Sequence, residues 1–278
     1  MIELKAFAKI NWALWITARR PDGYHELDML MQRIALCDDL KVEEAEETAL
    51  YVDGEPSLDQ DNLVLRAAGA LREETGVRRG ARIFLEKRIP ARAGLGGGSA
   101  DCAAALIALN RLWGLGLSNG HLQAIGLRLG ADVPYCLTGG LCRVGGIGEA
   151  VQRLPEGPAL HLAMARLGDG LSTVDVFRAW DATPSYPPAD AAGAIDALLS
   201  GDFDGLRALA HNALTAPASR LMREIPEKIA ALYDAGARYA QMSGSGSTVY
   251  GVFERRDEAE RAARILGKNA IVTETMPR

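Results

Sequence analysis

The chain has 278 residues, 48% of them hydrophobic, with a formal net charge of −5. That balance excludes a disordered chain, and a pI near 5.5 lacks the general positive field that non-specific nucleic-acid binding needs. The 30 glycines exceed ordinary usage, but with only 12 prolines and no three-residue period they do not indicate collagen.

In chain order, residues 2–17 alternate, with Ile2, Leu4, Ala6, Ala8, Ile10, Trp12, Leu14 and Ile16 on one face. This predicts a strand with one buried side, and Lys5, Lys9 and Asn11 on a face that lines a surface or cleft. The turn Pro21-Asp22-Gly23 leads to a second strand, about 25–36, and a third follows near 40–52. Asp61 and Asn62 cap a helix that runs to about Thr75 and is closed by Gly76. A strand at 81–87 precedes a glycine loop. Ser99 then opens a small-residue helix ending near Trp113, and Ser118 caps another that ends at Gly130. Asp132 caps a short helix with Pro134 in its first turn, and 139–152 read as a glycine-rich hairpin.

The composition shifts at Pro155, Gly157 and Pro158, so a boundary is expected between 1–155 and 156–278. The second part reads as a strand at 159–166, then helices near 174–181, 190–200, 202–213 and 218–235. A strand at 238–242, a glycine-serine loop, a strand at 248–254, a helix at 256–266 and a strand at 269–275 complete it. The class is α+β. The cysteines at 37, 102, 136 and 142 have neither CxxC nor zinc spacing, and no run of 18 apolar residues occurs. A cytoplasmic protein with reduced thiols and no membrane partner is expected.

The loop Pro90-Ala91-Arg92-Ala93-Gly94-Leu95-Gly96-Gly97-Gly98-Ser99, followed by Ala100, has four glycines in five residues and runs into a helix start. Glycine lets the backbone approach a ligand, and a helix N-terminus favours an anion. Arg78, Arg79, Arg82, Lys87, Arg88 and Arg92 face only Glu86 in the window 78–100, so phosphate is the expected ligand. Neither the Walker A pattern nor the dinucleotide G-x-G-x-x-G fingerprint fits, because Ser99-Ala100 follow Gly98.

This loop with its small-residue helix resembles the phosphate loop of the galactokinase, homoserine kinase, mevalonate kinase and phosphomevalonate kinase (GHMP) superfamily. Ala8-Lys9-Ile10-Asn11, Asp22-Gly23-Tyr24-His25, Asp61-Asn62-Leu63, Gly130-Ala131-Asp132-Val133-Pro134 and the segment 242–247 occur in the order of one branch. The resemblance covers essentially the whole chain. It implies a two-lobed fold, an N-terminal lobe like ribosomal protein S5 and a C-terminal ferredoxin-like lobe, with the active site in the cleft. It implies an ATP-dependent, Mg²⁺-using kinase of the non-mevalonate isoprenoid route. Its small-molecule substrate would carry a cytidine diphosphate group and be phosphorylated on a 2-hydroxyl. The rival readings are another kinase of the superfamily, of homoserine or mevalonate type, and a non-catalytic phosphate- or RNA-binding module. No nucleic-acid partner is expected, and the chain would be a monomer or weak homodimer.

By position alone Asp132 is an N-cap. The resemblance implies that it also accepts the substrate's hydroxyl proton, with Lys9 beside it keeping it ionised and stabilising the developing alkoxide. It assigns ATP to the loop from Pro90 to Ala100 and to Asn62, Leu63 and Lys87. It assigns the substrate to Asn11, to Tyr24 and His25 around a cytosine ring, to Thr173 and Phe177 as a further wall, and to Ser243 and Gly244. The metal ligand stays open between Ser99, Asp101 and neither. Asp101 would repel phosphate unless a metal or lysine intervenes.

Overall fold

A computed structural model of the chain describes residues 1–53 and 62–276, so Asp61 lies outside the described residues. The chain forms two compact units from interleaved segments. The first comprises Met1–Ala8, Leu36–Ile89 and Gly96–Gly139, and the second Lys9–Ala35, Pro90–Leu95 and Gly140–Arg278. The composition shift at 155–158 falls inside the second unit.

Two long strands, β1 (Ile2–Arg19) and β2 (His25–Ala45), pass from one unit to the other along the chain. The alternation at 2–17 does form a strand, but its burial is not one-sided. Both faces are covered from residue 8 to 16, and Lys9 and Asn11 are 4% and 0% exposed instead of lining an open face. β2 is one strand of 21 residues where two were expected. Cys37-Asp38-Asp39 contains no glycine or proline to break it, and Asp38 is buried with its charge compensated.

The first unit continues with β3 (Ala49–Asp53), α1 (Leu63–Thr75), β4 (Gly80–Glu86), α2 (Gly97–Leu112), α3 (Asn119–Leu129) and α4 (Val133–Thr138). β4 pairs parallel with β3, Tyr51 opposite Phe84, and antiparallel with the end of β2, Asp39 opposite Glu86. Apolar residues of the helices, among them Val64, Leu71, Leu106, Leu109, Ile125 and Val133, pack with Leu40, Val42, Ile83 and Leu85 of the strands into one core. Asn62 caps α1 by accepting from the Val64 amide, and Gly76 closes it at φ 71°. α2 starts at Gly97, two residues before the expected Ser99, because Gly96 takes the left-handed cap position at φ 70°.

The second unit adds β5 (Leu141–Gly146), β6 (Ala150–Arg153), β7 (His161–Ala165), α5 (Thr173–Asp181), α6 (Ala191–Ser200) and α7 (Phe203–Leu209). It ends with α8 (Thr215–Leu221), α9 (Glu224–Asp234), β8 (Tyr239–Met242), β9 (Val249–Phe253), α10 (Arg256–Leu266) and β10 (Ala270–Glu274). Strands β10, β7, β9 and β8 lie in that order, all antiparallel, which is the ferredoxin-like arrangement. The expected helix at 218–235 is two helices, because Met222 is extended at φ −142° and ψ 99°. The one at 202–213 stops at Leu209, where extended Ala210 leads to Asn212. β5 and β6 form the hairpin expected from the glycines at 139–148, with Gly146 and Gly148 supplying positive φ at its turn.

Trp12 anchors this unit's interior. Its indole donates to Gln32, its carbonyl accepts from Tyr239, and its ring centroid lies 5.7 Å from that of Tyr239. The four cysteines are free, and burial pushes Cys102 up to about 12 and Cys142 up to about 11. Among the described residues, no helix is long and apolar enough to cross a membrane.

Candidate active site

In the first unit, Leu63 and Lys87 of the expected nucleotide residues lie at the glycine start of α2. The amides of Gly97, Gly98 and Ser99 are those that an α-helix leaves without intrahelical partners, and no side chain caps them. A Cβ on Gly97 would come within 3.0 Å of Ile89 and 3.6 Å of the Lys87 ammonium, and one on Gly98 within 3.6 Å of Leu63. Leu63, Lys87 and the first turn of α2 are therefore neighbours. The Ser99 hydroxyl lies 3.5 Å from the place of a Cβ on Gly130, which brings this turn to the Gly130-Ala131-Asp132 segment. Asp132 occupies the N-cap position of α4, but its carboxylate makes no cap hydrogen bond.

Lys87 is held in a buried triad. Its ammonium donates to Asp38 at 2.5 Å and to Asp101 at 2.6 Å, and all three side chains are at most 5% exposed. The other Asp38 oxygen accepts from the backbone amides of Arg88 and Ile89. Burial would lower the Lys87 pKa, but attraction from Asp101 and Asp38 outweighs it and the net direction is up. Burial pushes the Asp101 carboxyl up to about 7, against the pull of Lys87 and with repulsion from Asp38 adding to the rise. Asp101 Oδ1 has no hydrogen-bond partner among the described residues. The partner that the structure gives Asp101 is thus a lysine. Asp38 escaped the sequence reading, although an aspartate inside an apolar strand pattern was the available signal.

The local positive charge around the loop is largely neutralised. Arg79 pairs with Glu44, Arg82 with Glu43, Arg88 with Asp39 and Glu86, and Lys87 with the two aspartates. Most of these acids stand on β2, the antiparallel neighbour of β4, and the 78–100 window did not contain them. Most of the loop's basic residues are paired, and what remains distinctive there is the uncapped start of α2.

In the second unit, residues 90–95 are tied to the glycine-serine loop at 243–248. The Ala91 carbonyl accepts from Arg166, that of Arg92 from Leu171, and that of Ala93 from Thr248. Arg92 is the one non-glycine with positive φ among the described residues, at 51°. Ser243 donates to the Gly94 carbonyl at 2.9 Å, and Lys9 donates its amide to the Leu95 carbonyl. A Cβ on Gly94 would lie 2.1 Å from the Ser243 carbonyl oxygen, so the close approach itself requires glycine. The Lys9 ammonium donates to Asn11 Oδ1 at 2.7 Å and sits 3.2 Å from the place of a Cβ on Gly244. Asn11 Nδ2 is buried with no partner among the described residues. Asn212, absent from the sequence reading, fixes this loop by donating to the carbonyls of Met242 and Gly244. Thr173 and Ser245 share a hydroxyl–hydroxyl bond of 2.8 Å.

The expected aromatic residues also assemble in this unit. His25 stacks on Phe177 with centroids 4.7 Å apart and meets Trp180 edge-on, while Tyr24 is 62% exposed. Asp181 accepts from His25 Nε2 at 2.9 Å. Lys9 belongs to the second unit and Asp132 to the first.

Residues 62–140 match the model of the GHMP kinases N terminal domain, and residues 194–272 that of the GHMP kinases C terminal domain. The chain belongs to the GHMP kinase family. It is 41% identical over its full length to 97% of a 4-diphosphocytidyl-2-C-methyl-D-erythritol kinase of Desulfitobacterium hafniense. Over 94% of its length it is 43% identical to 92% of the protein of that name from Parvibaculum lavamentivorans. The crystal structure of a 4-(cytidine 5'-diphospho)-2C-methyl-D-erythritol kinase superposes with a TM-score of 0.83, covering 99% of each chain at 36% identity.

Proposed function

We propose that this kinase transfers the γ-phosphoryl group of ATP to the 2-hydroxyl of 4-diphosphocytidyl-2-C-methyl-D-erythritol, a step of the non-mevalonate route to isoprenoids. The observation that carries the reading is the uncapped glycine start of α2, in a chain alike end to end to relatives of that name. The product is the 2-phosphate. The 2-oxygen forms a bond to the γ-phosphorus as the bond to the β-phosphate oxygen breaks, and ADP leaves.

On this reading the amides of Gly97, Gly98 and Ser99, with the dipole of α2, hold the nucleotide phosphates. Residues Pro90 to Leu95 and Ala100 complete the loop, and Asn62, Leu63 and Lys87 lie toward the nucleoside. Asp132 takes the proton of the 2-hydroxyl. Lys9 stabilises the developing charge, and the unpartnered Asn11 amide suits a hydroxyl of the erythritol part. Tyr24, His25, Thr173 and Phe177 receive the cytosine end, with Ser243 and Gly244 at the phosphate end. Mg²⁺ would neutralise charge on the transferring phosphates. Ser99 is the candidate ligand, because Asp101 is committed to Lys87. The enzyme works in the cytoplasm as a monomer or weak homodimer, with no nucleic-acid or membrane partner.

ADP release tests this. It should depend on 4-diphosphocytidyl-2-C-methyl-D-erythritol, stop when Mg²⁺ is chelated, and be absent with homoserine or mevalonate. Turnover of either of the latter in place of the cytidine compound would overturn the substrate assignment.

A further inference from the structure

His25 is the first residue of β2 and Asp181 the last of α5. The His25 side chain is only 9% exposed, and that of Asp181 is 26% exposed. A carboxylate only accepts, so the 2.9 Å contact places the proton of a neutral His25 ring on Nε2. Nδ1 then carries a lone pair, and it has no partner among the described residues. The ring is not free to turn over. Phe177 covers one face at an interplanar angle of 23°, and Trp180 meets it edge-on at 86°. Trp180 is itself backed edge-on by Tyr186, with centroids 5.2 Å apart. Arg19 approaches the second Asp181 oxygen at 3.8 Å. The result is an imidazole of fixed orientation whose remaining nitrogen is an acceptor.

We infer that Asp181 is a positioning residue that selects cytosine over uracil by fixing the tautomer of His25. This rests on the reading that the base docks at Tyr24, His25 and Phe177. At the 4-position cytosine presents an amine donor where uracil presents a carbonyl acceptor. An acceptor at Nδ1 pairs with the first and leaves the second with two lone pairs facing each other. Without Asp181 the ring samples both tautomers, and an Nδ1–H serves uracil as well as Nδ1 serves cytosine.

The test is competition by CDP and by UDP against the cytidine substrate, in wild type, Asp181→Ala and Asp181→Glu. Wild type should prefer CDP by at least about tenfold. Asp181→Ala should raise KM about tenfold with kcat little changed, and its preference should fall toward unity. Asp181→Glu should restore the preference. A raised KM with an unchanged preference means that Asp181 only props the corner, and overturns the assignment. Wild type indifferent to CDP overturns both the assignment and the reading beneath it. Nitrogen NMR of the wild-type imidazole needs no variant to fold: it should show Nε2 protonated and Nδ1 bare, and the reverse tautomer would overturn the inference.

Discussion

Two of this molecule's acid–base clusters are built in opposite ways. The Asp38–Lys87–Asp101 triad of the first unit is sealed, with every side chain at most 5% exposed. The His25–Asp181 pair of the second unit is partly open and lies among aromatic rings. A sealed cluster is stabilised by mutual compensation and has little freedom to exchange partners. A partly open pair contributes little to stability but can present a defined hydrogen-bonding face to a ligand. The first therefore anchors the strand end and helix that carry the glycine loop, and the second is suited to recognition.

The largest effect that separates the two clusters comes from removing the shared cation. Lys87→Ala leaves two buried carboxylates facing each other and should cost about 3–5 kcal/mol in denaturant unfolding. A loss under about 1 kcal/mol would mean that the triad is not the anchor described.

The next is a pH effect. The Asp101 carboxyl is raised from 3.8 to about 7 on folding, so the folded state binds its proton more tightly than the unfolded chain. Its contribution favours folding at acid pH, declines as pH rises between about 4 and about 7, and is constant above. Asp101→Asn removes that slope. Relative to wild type, the variant should gain thermal stability between pH 5 and pH 8, to be read by melting temperature at each pH. A gain on the acid side would contradict the direction assigned.

The smallest effect belongs to the open pair. Arg19→Ala removes an Asp181 partner that is itself 56% exposed, and unfolding should shift by less than about 0.5 kcal/mol. A larger loss would place this corner with the sealed cluster.

The sequence exposed the parts of this arrangement that are local. Asn62 and Gly76 bound α1 as their residue types dictate, and Ser118 caps α3. The glycine loop, the Asp-Gly-Tyr-His turn and the Gly-Ala-Asp-Val-Pro segment were visible as motifs. What was hidden depends on strand pairing. The basic window around the loop appeared unopposed because its acids are on β2, about forty residues earlier in the chain. Lys9 and Asn11 appeared to lie on an open face because alternation shows only one side of a strand, and it does not show that Tyr250 and Ser243 bond to Asn11 from far along the chain. Asp38, Asn212 and Asp181 were missed for the same reason, since each acts through a partner at least 30 residues away. The start of α2 was misplaced because a left-handed glycine took the cap that serine usually fills.

The proposed function stands or falls with Asp132 as the residue that takes the 2-hydroxyl proton. The direct measurement compares Asp132→Ala and Asp132→Asn with wild type, in substrate-dependent ADP release and in thermal unfolding of the same samples. Both variants should lose about a thousandfold or more in kcat while still folding cooperatively. Activity near wild type in either, or a loss of activity that only tracks a loss of folding, would contradict the account.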